Sequence, residues 1–148
     1  MKTVNRILTL LALVSLSAAT SLAAAEKKVG GPKGGRLLEN EAPRAEFFVE
    51  KNRTVTITFY DKDLKAVPPG EQVVTAIAEA KTGKEKLEFE KKGDSLVSKT
   101  PLPEGDGYTM VLQFKARPDA KTQNFRIKYD TSTCEKCKRA EYACICDE

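Results

Sequence analysis

The four cysteines of this chain all lie in its last fifteen residues, spaced Cys134-x2-Cys137-x6-Cys144-x-Cys146. Three chemistries fit those residue types at that spacing. The first is a metal clasp. A C-x2-C turn brings two sulfurs together as in a zinc knuckle, and in an extended C-x-C the side chains i and i+2 point to one side, so Cys134, Cys137, Cys144 and Cys146 could close a tetrahedron. Four thiolates on Zn²⁺ leave a net double negative charge, which Lys136, Lys138 and Arg139 are placed to screen. An all-thiolate set is soft enough for Cu(I) or an iron centre as well. The six-residue spacer is shorter than those of common zinc ribbons. The second chemistry is disulfide formation: four cysteines allow three connectivities, of which the nested pair Cys134–Cys146 and Cys137–Cys144 would staple a small hairpin; no cofactor is then expected. The third is thiol–disulfide catalysis by Cys134 and Cys137. It requires a helix N-terminus after a strand to lower the thiol pKa, and the surrounding residues are a charged tail with no such context. Metal and disulfide stay open as alternatives.

The rest of the chain offers little that could react. It contains no histidine, which removes the usual base of a nucleophile–base–acid set. Asp61 and Asp63 share a turn but bring too few oxygens for calcium. Gly30-Gly31-Pro32-Lys33-Gly34-Gly35 lacks phosphate-loop spacing and a preceding strand. Asn52-Arg53-Thr54 matches a glycosylation sequon, but the leader is of bacterial type and no glycan is expected. No catalytic residue is assigned, and the chain reads as a non-enzyme.

The elements that must position the cysteines follow from the patterning. Lys2 and Arg6 precede an apolar run over residues 7–16, and Ala23-Ala24-Ala25 supplies an A-x-A exit. These are the three parts of a secretory signal, with cleavage after Ala25. The run is too short to span hydrocarbon, so the expected product is periplasmic or secreted, with no membrane insertion after cleavage. Cleavage removes two of the 25 basic residues and none of the 21 acids. A surplus of two positive charges remains, which is no footprint for nucleic acid.

Residues 26–35 are rich in Gly and Lys and read as a flexible leader, because they bury too little apolar surface to offset their ordering entropy. Residues 36–130 are dominated by a period of two. Ala45–Glu50 is a short strand. Thr54–Tyr60 alternates with Val55, Ile57 and Phe59 inward and its threonines outward. Val73, Thr75 and Ile77 favour a strand over Gln72–Ala80, although its alanines would also suit a helix. Glu85–Lys91, Ser95–Lys99, Tyr108–Phe114 and Thr122–Tyr129 complete the set. About eight short strands with regular turn signals predict an all-β, immunoglobulin-like sandwich, followed by a Cys-rich tail over residues 131–148. Tyr108, opening a late strand just after a Pro/Gly corner, is either a tyrosine corner or a plain strand tyrosine.

Gly34-Gly35-Arg36-Leu37-Leu38-Glu39, Ala45-Glu46-Phe47-Phe48-Val49 and Val55-Thr56-Ile57-Thr58-Phe59-Tyr60-Asp61 together resemble a family of small exported β domains, found alone or at the N-terminus of periplasmic adaptor subunits of heavy-metal efflux systems. The resemblance spans about residues 30–130 and implies a periplasmic β-sandwich linked to metal handling. The histidines of the family pattern are missing: Lys33 and Arg44 stand in their places. Fold and compartment therefore carry over, and site residues do not. The expectation is an exported, non-catalytic binding or accessory protein, taking zinc or copper at its cysteines or serving a metal-handling envelope system. The alternative is a structural, protein-interaction sandwich stapled by disulfides. An envelope protein partner is compatible with either reading.

Overall fold

A computed structural model describes residues 29–38 and 43–146. Residues 1–25, expected as a secretory signal, residues 26–28 of the expected leader, and Glu39 lie outside the described residues. Ten antiparallel strands follow in chain order: β1 (Val29–Gly30), β2 (Arg36–Leu38), β3 (Arg44–Val49), β4 (Val55–Tyr60), β5 (Ala66–Val67), β6 (Val73–Ala80), β7 (Gly83–Lys92), β8 (Ser95–Ser98), β9 (Tyr108–Lys115) and β10 (Gln123–Tyr129). The three beyond the seven segments named from the sequence are β1, β2 and β5, of two, three and two residues and too short to show a period. The all-β, sandwich-like architecture is as the alternation predicts. No helix among the described residues is long and apolar enough to cross a membrane.

The strands run in the order β1-β2-β3-β4-β8-β7-β6-β9-β10, with β5 on β4. Strand β7 joins the two layers. Its first half, from Gly83 to Glu88, pairs with β6, and its second half, from Phe89 to Lys92, pairs with β8. The sheet thereby curls over one core, and the rings of Phe59 on β4 and Phe114 on β9 meet across it at 6.2 Å. Phe47, Ile57, Leu87, Met110, Leu112 and Ile127 are fully buried there.

Strand β4 buries more than the alternation predicts, and β6 buries its alanine face. In β4 all six residues are buried, including the outward Thr56 and Thr58. Buried hydroxyls require partners, and these have them: Thr56 donates to Glu50, Thr58 bonds Ser95, and Tyr60 donates to Glu46. The outer face of β4 is thus a second, polar layer. In β6 the buried face is Val74, Ala76 and Ala78, while Val73 is exposed. Val74 lies opposite Phe114 in the register, and small residues suffice beside that ring.

Tyr108 is a tyrosine corner. It is buried, and its hydroxyl donates to the Pro103 carbonyl five residues upstream at 3.2 Å. Tyr108→Phe keeps the ring and deletes that bond, so urea unfolding should show a loss of about 1 kcal/mol; an unchanged midpoint would remove the corner from the stability of this fold.

Candidate metal centre

The Gly-rich stretch expected as a flexible leader is built into the structure from Val29 onward. β1 pairs with β2, and residues 31–35 fold into a turn closed by Gly31 N–H on the Gly35 carbonyl and Gly34 N–H on the Gly31 carbonyl. The turn wraps the carboxylate of Glu46, which is fully buried on β3. Gly35 N–H donates to Glu46 Oε1 at 2.8 Å, Lys33 N–H at 3.0 Å, and the Tyr60 hydroxyl to Oε2 at 2.6 Å. No cation pairs with Glu46 among the described residues. Burial first, then the bond to Glu46 and its charge, push the Tyr60 hydroxyl well above the usual tyrosine range, so it stays a donor. A Cβ at position 31 would overlap the Glu46 carboxylate, and one at 35 the Phe47 carbonyl. The glycines serve close approach here, not flexibility.

The cysteine tail is seated on this platform. After β10, Asp130 accepts from the Ser132 N–H and hydroxyl, and Thr133 bridges Ala140 in antiparallel fashion. The Cys134 N–H bonds the Arg139 carbonyl, the Lys138 N–H bonds the Cys134 carbonyl, and Lys138 turns the chain with a φ of 60°. This tight turn carries Cys134 and Cys137. A 3-10 turn over Glu141–Ala143 then brings the chain back and delivers Cys144 and Cys146. The hairpin return and this one turn together span the short spacer.

The tail is not a mere appendage. Tyr142 and Ala143 are buried in the main core. The Tyr142 ring packs edge-on against Phe47 at 5.6 Å and lies 5.9 Å from Tyr129. Its hydroxyl accepts the Val49 N–H at 3.1 Å. From the other side, the Arg139 guanidinium donates to the carbonyls of Gly31 and Gly35, each at 3.3 Å. Arg139 therefore does not screen the sulfurs with its side chain, as the spacing alone suggested. Sequence patterning gave Glu46 and Tyr142 no role and Arg139 a different one, since each acts only across the fold.

The structure brings all four cysteines together. Their sulfurs lie within 4.8 Å of one another, with Cys134–Cys144 at 3.3 Å, Cys137–Cys144 at 3.7 Å and Cys134–Cys146 at 3.9 Å. All four are free thiols. A tetrahedral ion with metal–sulfur bonds of about 2.3 Å requires sulfur–sulfur edges of roughly 3.8 Å, so small adjustments would seat one. Cys134 and Cys144 are buried and Cys137 and Cys146 half-buried, leaving a closed cluster that could hold a metal ion.

The environment favours charge on one sulfur. The N–H groups of Ile145 and Arg139 point at Cys137 and lower its thiol to about 6. Backbone donors of this kind stabilise a thiolate. For Cys144 the largest single influence, the Cys146 N–H, pulls the thiol down, but its bond to Cys134, burial, and the bonds to Cys137 and Cys146 outweigh it and push the thiol up to about 12. Burial also raises Cys146, with Cys137 adding to it. Cys137 is thus ready to ionise, while Cys144 and Cys146 resist until an added positive charge offsets their burial and their neighbours' sulfurs. A metal ion supplies that charge. No family model, curated protein or solved structure matches this chain.

Proposed function

We propose that this chain is an exported, non-catalytic binding or accessory protein whose four-cysteine clasp holds one soft metal ion, zinc before copper(I). The observation that carries the reading is the convergence of Cys134, Cys137, Cys144 and Cys146 within 4.8 Å. Four protein thiolates leave no open coordination position for a substrate, so the ion would be held and not used as a Lewis acid. Zinc suits a tetrahedral all-sulfur set with no redox step. The leader of residues 1–25 and the resemblance to periplasmic metal-handling domains support an envelope location and an envelope protein partner.

The test is metal analysis with thiol counting on protein isolated from its native compartment. About one zinc per chain, with four thiols shielded from alkylation until a chelator is added, is the expected result. Metal-free protein whose intact mass is short by the hydrogens of two disulfides would overturn the metal reading in favour of a stapled tail. Cys134–Cys146 with Cys137–Cys144, at 3.9 and 3.7 Å, is one pairing the cluster allows, and the 3.3 Å Cys134–Cys144 pair belongs to another, so peptide mapping would assign the bridges.

A further inference from the structure

Beside the clasp an open cleft of about 550 Å³ is walled by the Gly turn, the β3–β4 hairpin and the cysteine tail. Its lining includes Lys33, Lys51, Arg53, Lys138 and Arg139 against one carboxylate, Glu50. Some cations elsewhere on the surface do have partners, as in Lys84 with Glu79 and Lys99 with Glu88. Around the cleft, the side chains of Lys33, Lys51 and Lys138 make no ion pair among the described residues. Arg53 reaches only Glu104, whose side chain is 87% exposed. Glu50 accepts the Thr56 hydroxyl. Like charges gathered in a concavity repel one another and focus a positive potential into it. Between them the wall is apolar, from Phe48, Val49 and the edges of Tyr129 and Tyr142. Size, charge and lining are those of a small-molecule site.

We propose that this cleft is a binding site for a small anion, a carboxylate or phosphate group carried on an apolar body. The anionic group would sit among the lysines, with Lys33 from the Gly turn and Lys51 from the hairpin on one side and Lys138 from the tail on the other. The apolar body would lie against Phe48 and Val49. Gly34, at a φ of 93° with open space where a Cβ would be, keeps one wall clear. Lys33 and Lys51 lie outside the clasp, so the site does not require that a metal be bound.

The test is calorimetric titration of the purified protein with phenyl phosphate and with benzoate. Saturable binding that weakens as salt rises is expected. Lys33→Gln combined with Lys51→Gln should weaken it about tenfold or more, since both lost charges attract the anion at close range. Lys62→Gln, away from the cleft, should leave it unchanged. All three lysines are exposed, so the variants should melt like the parent; Lys51→Gln alone serves if the double variant does not. Preference for phenyl phosphate assigns the site to phosphate esters, and preference for benzoate to carboxylates; either supports the proposal. Absence of saturable binding by both probes, or equal affinity in the lysine variants, overturns it. Repeating the titration after chelation separates this result from the fate of the metal reading.

Discussion

Glu46→Ala should lower the unfolding free energy by about 3–5 kcal/mol, a large part of the 5–15 kcal/mol typical of a domain. The carboxylate is fully buried and accepts from Lys33 N–H, Gly35 N–H and the Tyr60 hydroxyl. Alanine leaves three donors facing a void, and each buried donor without an acceptor costs about 1–3 kcal/mol, less where water enters. Glu46→Gln should cost less, about 1–3 kcal/mol, since it keeps the volume but turns one acceptor into a donor aimed at other donors. Denaturant unfolding measures both. Limited proteolysis supplies an independent sign, because residues 31–35 should become cleavable in Glu46→Ala before the core does. A loss under 1 kcal/mol in the alanine variant would mean that the turn holds its shape without the carboxylate.

Breaking the clasp should have an effect of similar size by a different route. A ligand that binds only the folded state adds about 4 kcal/mol when its free concentration is a thousandfold above Kd. Cys144→Ser removes a buried ligand and should abolish stoichiometric uptake, with a fall in Tm of about 10 °C or more. A chelator should produce the same fall in the parent and none in the variant. Acid should mimic the chelator: thiols must lose protons to ligate, so the metal's contribution is present at neutral pH and fades as pH falls. Reductant provides the opposing arm. If it lowers the parent's Tm where chelator does not, the tail is held by disulfides.

How far the sequence foretells this molecule depends on how local each feature is. Strands β4, β9 and β10 alternate because each buries one face against a common core, and a period of two records that. The pattern says less about a face covered by polar partners from elsewhere, which is why the threonines of β4 are buried. β6 was recognisable as a strand, yet its inward face is the alanine face, a matter of what lies opposite in the register. The Gly stretch misled because an entropy argument weighs a segment's own apolar surface and not a carboxylate eleven to thirteen residues away. The cysteines stood out by type and spacing as a candidate cluster, with metal and disulfide both open. Their convergence depends on Tyr142 seated in the core and on one 3-10 turn, and neither leaves a mark in spacing.

The bond from Arg139 to the Gly31 carbonyl spans 108 residues of chain. Contacts between such distant partners close late in folding, because the intervening loop must first be ordered. During synthesis the N-terminal part of a chain emerges first, so the Gly turn appears long before the residues that fasten it. Val29–Gly35 would then wait, half-assembled, for the residues around Arg139 to emerge. A nascent chain truncated before Cys134 would expose that first hairpin to proteases and chaperones, and arrival of the tail would mark the moment at which the product becomes resistant.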